Sequence, residues 1–243
     1  RKKVIESIGL YDESFSSCED YELWLRLSYK GYNITILDNL SEQIHGKGDS
    51  ILFNRIKDKC AFIKGDVRNK ENWKEAIKEQ EIIVHLAAET GTAQSMYQQQ
   101  RYHDVNIKGT ANMLEVLAEN KHKVEKIILA SSRAVYGEGK YQCHKHGDTY
   151  PAHRSESDME KGMFDFSCNI CSAKLSTRNT DEKSKIQPIS IYGDTKWKQE
   201  NMLISSRDLL NIDTVIFRYQ NVYGPGQSLL NPYTGILSIF STI

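Results

Sequence analysis

The chain has 243 residues, 39% of them hydrophobic, enough to bury the core of one α/β domain and part of a second. Its 32 lysines and arginines balance its 32 aspartates and glutamates, so no overall field favours nucleic acid or an acidic membrane surface. No apolar run reaches membrane-spanning length and no basic-then-apolar leader is visible, so a cytoplasmic protein is expected, and the five cysteines are too odd and clustered a set for a disulfide framework.

From Tyr32 short apolar runs alternate with helical segments, the signature of a parallel sheet wrapped by crossover helices. Strands are predicted over Asn33–Leu37, Cys60–Lys64, Glu81–Ala87, Glu125–Ala130 and Asp213–Arg218, and helices over Asn72–Glu79, Asp104–Glu119 and Thr195–Leu210. This order is that of an α/β, Rossmann-like, doubly wound fold, in which ligands bind at the carboxyl ends of the strands.

Those ends carry chemistry. Asp38 closes a strand where an acidic side chain accepts hydrogen bonds from an adenosine ribose and repels a phosphate, so NAD is expected rather than NADP. Asp66 and Val67 are placed to meet an adenine edge, and Leu86-Ala87-Ala88 lets a cofactor approach the backbone. Ser131 and Ser132 end the next strand. Each of these residues has an ordinary alternative as a turn former, a packing residue or a cap.

The stretch Ile191-Tyr192-Gly193-Asp194-Thr195-Lys196 opens a segment running to Leu210 with apolar pairs at Met202-Leu203 and Leu209-Leu210, which reads as a helix. Tyr192 and Lys196 then share one face, a turn apart, and an ammonium beside a phenol favours the phenolate. Tyr136 with Lys140 and Tyr141 with Lys145 repeat the spacing, but Gly137 and Gly139 follow the first and a Cys/His loop surrounds the second.

Between Ser132 and Tyr192 lies a long polar insert, 139–188, holding Cys143-x-x-His146 and Cys168-x-x-Cys171. Two ligand pairs at this spacing suit one tetrahedral, structural zinc, with His144 as a competing ligand and unligated thiols as the alternative.

Taken together, Leu37-Asp38-Asn39-Leu40, Gly65-Asp66-Val67, His85-Leu86-Ala87-Ala88, Asn106-Ile107-Lys108-Gly109-Thr110, Ser131-Ser132, Tyr192 with Lys196, and Arg218-Tyr219-Gln220-Asn221 resemble the extended short-chain dehydrogenase/reductases. Within them the likeness is to NAD-dependent nucleotide-sugar 4-epimerases. Gln94-Ser95-Met96-Tyr97 and Asn231-Pro232-Tyr233-Thr234-Gly235 are most similar to the dTDP-L-rhamnose 4-epimerase subgroup, which carries a similar cysteine-bearing insert.

The resemblance implies Ser132, Tyr192 and Lys196 as the catalytic set. Asp38, Asn39, Asp66, Val67, Leu86, Ala87, Ala88, Asn106, Ser131 and Tyr219 would lie around NAD, Asn221 would contact the sugar nucleotide with Ser132, and Asn106 would also steady the catalytic helix. It further implies a homodimer through Asp104–Glu119 and Thr195–Leu210, a dTDP- or UDP-sugar substrate, and transient oxidation at sugar C4. Sugar-nucleotide dehydratases of the same family carry Thr-Asp-Glu where this chain has Ser131-Ser132-Arg133, which favours an epimerase or a reductase.

Two departures are expected to matter. The family opens with a strand and a glycine-rich turn that cradles the pyrophosphate, yet before Asp38 the only glycines are Gly9 and Gly31. Residues 1–31 resemble instead a family 2 glycosyltransferase fragment, Asp20 matching its acceptor base, with 3–8 and 19–29 available as a replacement strand and helix. The expected domains are thus that fragment, a cofactor-binding unit at 32–217, and the start of a truncated substrate domain at 218–243. A non-catalytic remnant is the alternative to an epimerase.

Overall fold

The structure is a computed structural model that describes residues 31–47 and 51–222. In chain order its elements are β1 (Thr35–Asp38), α1 (Glu42–His45), α2 (Ile51–Ile56), β2 (Ala61–Lys64), α3 (Lys70–Ala76), β3 (Ile82–His85), α4 (Thr92–Tyr97) and α5 (Gln99–Tyr102). A π-helical turn (His103–Lys108) leads into α6 (Gly109–Glu119), and β4 (Lys126–Ser132) runs into a 3-10 turn (Arg133–Tyr136). The insert contributes β5 (Tyr141–Cys143), β6 (Gly147–Thr149), α7 (Glu156–Glu160) and β7 (Ser176–Thr177), before α8 (Ile191–Leu210) and β8 (Asp213–Tyr219).

Five strands form the parallel framework expected of the α/β class. β1 pairs with β2, while β3, β4 and β8 form a second sheet in that order. Among the described residues no ladder joins β1 to β3, which is where the usual strand order sets its first strand. The replacement strand and helix expected at 3–8 and 19–29 lie outside the described residues.

Alternation along the strands decides the layers. On β3, Ile83 and His85 are buried while Ile82 and Val84 are exposed. Ile83, Ile127 and Leu129 meet Val105, Met113, Leu117 and Leu203 in one core, and Trp73 and Ile77 extend it to Leu37 of β1. The indole N–H of Trp73 finds the carbonyl of Val67 at 2.9 Å, which satisfies the one polar atom that this large side chain buries. Each fully buried aliphatic side chain here contributes about 1.5–3 kcal/mol, so this layer is what holds α8 and β4 in register.

The helix predicted over Asp104–Glu119 exists, but its first turn is π-helical. The short helices α4 and α5 were not foreseen, because the polar run Gln98-Gln99-Gln100 carries no helical apolar period. Neither repeat of the Tyr/Lys spacing is helical: Tyr136 ends the 3-10 turn and Tyr141 opens β5. No described helix is long and apolar enough to cross a membrane.

Candidate active site

The geometry of α8 begins with its cap. Ser190 accepts a hydrogen bond from the backbone N–H of Gly193 at 3.1 Å, and Gly193 leaves room that no other residue would. A Cβ there would lie 2.6 Å from the carbonyl oxygen of Ala134, so glycine is what lets the first turn of α8 press against the turn that follows Ser132. From the other side, the backbone N–H of Tyr192 donates to the hydroxyl of buried Ser95 at 3.1 Å. The Tyr192 ring packs edge-on against fully buried Tyr102, with centroids 6.4 Å apart.

Held in this way, the Tyr192 hydroxyl faces Ser132, whose side chain acts to lower the phenol. Lys196 lies one turn further on, 2% exposed, with its Nζ donating to the carbonyl of Ala130 at 2.9 Å. Burial pushes the Lys196 ammonium down to about 8, against the pull of the Glu200 carboxylate. Burial also pushes the Tyr192 phenol up, while Ser132 beside it acts the other way. The expected lowering of the phenol by Lys196 is therefore not found. The ammonium is itself desolvated and turned to a backbone carbonyl, so it does not offset the burial of the ring.

Below this corner sits a buried charge cluster that sequence reasoning missed. Glu200, 1% exposed, accepts from the Ser131 hydroxyl and from Arg218 through Nε at 3.1 Å and Nη2 at 2.7 Å. Arg218 also donates to the Tyr136 hydroxyl at 2.8 Å, and its pairing with Glu200 raises its pKa further. α8, β4 and β8 are thus tied together directly behind Ser132. The spacing of Lys196 and Glu200, four residues apart on α8, was the one local signal.

Asn106 is fully buried. It donates to the Glu89 carbonyl at 3.1 Å and to the Thr195 hydroxyl at 3.0 Å, and its Oδ1 accepts from the Glu89 backbone at 2.8 Å. It therefore ties the loop after β3 to α8, and its side chain is committed to protein partners. Next to it Thr110 accepts from Gln199 at 2.7 Å and contacts His85 at 3.0 Å. Burial, then the Lys196 charge, push His85 down to about 3, so this ladder is neutral near pH 7.

The remaining sequence-derived residues line the carboxyl ends of the strands. Asp38 caps the turn after β1 by accepting from the Leu40 backbone at 2.7 Å, with its side chain 40% exposed. Asn39 reaches Asp66 at 3.3 Å, and Asp66 is held by Arg68 at 2.7 Å, which brings its carboxyl down to about 2. Val67 is buried, Leu86 and Tyr219 are exposed, Ala87 and Ala88 are partly buried, and Asn221 is exposed beyond β8. Ser131 turns inward to Glu200, unlike Ser132, which faces Tyr192. Cys143, His146, Cys168 and Cys171 converge, and His144 is not among them.

A serine facing a tyrosine with a buried lysine one turn on, at the carboxyl end of a parallel sheet, is the arrangement of the extended short-chain dehydrogenase/reductases. The comparisons narrow it: the chain belongs to the NAD dependent epimerase/dehydratase family, whose model matches residues 22–240. It is 36% identical over 244 residues to a dTDP-L-rhamnose 4-epimerase of Burkholderia thailandensis, covering 100% of this chain and 64% of that protein.

Its fold resembles a UDP-glucose 4-epimerase of Thermotoga maritima solved with UDP-glucose, with TM-score 0.63, 23% identity, and coverage of 93% of this chain and 59% of that one. A UDP-glucose 4-epimerase of Thermus thermophilus solved with NAD gives TM-score 0.61 at 20% identity, over 93% and 58% of the two chains. The chain thus spans less than two thirds of these relatives. The matches do not support the glycosyltransferase reading of 1–31: the family model reaches back to residue 22, and the Burkholderia relative aligns with the whole chain.

Proposed function

We propose that this chain carries the cofactor and catalytic part of an NAD-dependent nucleotide-sugar 4-epimerase acting on dTDP-L-rhamnose or a related dTDP- or UDP-sugar. The observation that carries the reading is Ser132 facing Tyr192 with buried Lys196 one helical turn on. The residues present fit NAD at both ends. Asp38 keeps a partly exposed carboxylate for an adenosine ribose, and Lys196 has protons beyond the one given to Ala130 for a nicotinamide ribose. When bound, NAD accepts a hydride from sugar C4 and returns it to the opposite face.

The protein's part is proton transfer and positioning. Tyr192, as phenolate, takes the proton of the C4 hydroxyl while the C4 hydrogen leaves as hydride, and gives the proton back when the hydride returns. Ser132 donates to the same sugar oxygen as it becomes a carbonyl. Ser132 beside the phenol favours the phenolate that burial opposes. Residues 32–217 would form the cofactor unit and 218–243 the start of the substrate unit, with α6 and α8 forming a dimer interface. Light scattering tests that last point, and a monomer at working concentration removes it.

The decisive assay is incubation with dTDP-L-rhamnose deuterated at C4, followed by NMR. The expected result is the C4 epimer with deuterium retained, because the same hydride leaves and returns. Exchange of the label with solvent contradicts the mechanism, and absence of the epimer favours the non-catalytic alternative.

A further inference from the structure

The insert between Ser132 and Tyr192 is folded with almost no core of its own. Only Cys143, Cys168 and Leu175 are buried in its cluster, with Tyr141, Phe166 and Cys171 packed against them. Segments of this size with so little apolar burial are usually held by a disulfide or a metal. A disulfide does not account for it: Cys143 and Cys171 have their sulfurs 3.7 Å apart, far beyond the bonded distance of about 2.05 Å.

The side chains are instead arranged around a point. The Sγ atoms of Cys143, Cys168 and Cys171 and a ring nitrogen of His146 all lie within 4.8 Å of one another. A tetrahedral zinc with Zn–S of about 2.3 Å and Zn–N of about 2.0 Å would separate its sulfurs by about 3.8 Å and sulfur from nitrogen by about 3.5 Å. The structure has 3.7 Å for Cys143 to Cys171, and 3.6 and 3.5 Å from His146 Nδ1 to Cys143 and Cys168.

The backbone around them repeats one turn twice. After His146 the chain passes through Gly147 at φ 78°, and after Cys171 through Ser172 at φ 56°, a left-handed conformation that serine seldom adopts. In the first turn the backbone N–H groups of Lys145 and His146 lie beside the Cys143 sulfur, and in the second those of Ile170 and Cys171 lie beside the Cys168 sulfur. Short pairings bracket both turns: Cys143 with Gly147 across β5 and β6, and Ser167 with Lys174.

We propose that Cys143, His146, Cys168 and Cys171 bind one zinc ion as a closed four-ligand site that staples the insert. No ligand position is left open for substrate, so the ion is structural. The staple acts where the insert leaves and rejoins the catalytic framework. Gln187 donates to the Val135 carbonyl at 2.9 Å, a Cβ at Gly137 would sit 2.2 Å from the Gln187 carbonyl oxygen, and Arg218 reaches the Glu182 carbonyl at 3.3 Å. This inference stands on the insert alone and does not depend on the cofactor reading.

The test is metal content of the chain purified without added metal or chelator, followed by cobalt titration of the stripped chain. One zinc per chain is expected, together with a cobalt spectrum showing thiolate charge transfer and tetrahedral ligand-field bands, and zinc should displace the cobalt. Cys168→Ser and His146→Ala should weaken cobalt binding at least tenfold, whereas Cys60→Ser should leave it unchanged. Substoichiometric zinc with an octahedral cobalt spectrum overturns the proposal, as does a Cys143–Cys171 disulfide in the metal-free chain. Because the titration uses the unmutated chain, misfolding of a variant cannot mask either result.

Discussion

The corner that gathers Ser132, Tyr192 and Lys196 and the insert that gathers Cys143, His146, Cys168 and Cys171 both bring distant side chains to a point, by opposite means. In the corner the polar groups ride on α8 and β4, which are fixed by a continuous apolar layer and by the Glu200–Arg218 pair. In the insert the converging groups are themselves most of what is buried. The first should therefore survive loss of any one polar member as a fold while losing chemistry, whereas the second should lose its fold when its members stop meeting.

The sharpest break is chemical. Tyr192→Phe keeps the ring against Tyr102 but removes the proton carrier, so epimerisation should fall by about 10²–10⁴-fold with bound NAD unchanged. A comparable loss of NAD would mean that Tyr192 acts in folding rather than chemistry. Next comes the pair behind the corner. Arg218→Leu leaves the Glu200 carboxylate buried without its partner and should lower stability by about 3–5 kcal/mol in urea unfolding. The double change Glu200→Leu with Arg218→Leu should recover most of it, because no unpaired charge then remains.

A smaller effect separates the two regions. Stripping metal should raise hydrogen exchange across 141–177 at least tenfold while β3, β4 and β8 keep their protection, since they share the apolar layer and not the ligand cluster. Protection lost equally in both regions would make them one cooperative unit.

The pH dependence is subtler. Lys196 has a folded value of about 8, below its ordinary 10.5, so between these values the unfolded chain binds more protons. Stability should therefore rise with pH from about 8 towards 10, and Lys196→Met should flatten that rise. Least of all, Asp194→Ala should change stability by no more than about 0.5 kcal/mol, as its i,i+4 pair with Lys198 is largely exposed.

The two regions were also legible to different degrees. The insert announces itself locally, because Cys/His pairs with two residues between them in each turn can be read without knowledge of the fold, although which histidine closes the set needed the backbone turn at Gly147. In the corner, Tyr192 and Lys196 could be read from helical spacing, but Ser132 could be joined to them only through the resemblance. Their supports had no local signature. Ser95, Tyr102 and Arg218 meet α8 from other elements, and a serine or an arginine in isolation says nothing of its partner.

Five strands were placed closely because each is a short apolar run ended by a turn residue. The π-helical turn stayed hidden, since one widened turn scarcely shifts the apolar period, yet it is where Asn106 sits to reach both Glu89 and Thr195.

The measurement that bears most directly on the account is the NAD carried by the purified chain, released by denaturation and counted against protein. About one NAD per chain is expected, lost in Asp38→Ala and kept in Tyr192→Phe. No released NAD, together with no thermal shift when NAD is added, would contradict it, leaving Ser132, Tyr192 and Lys196 as an inherited arrangement without a cofactor to use.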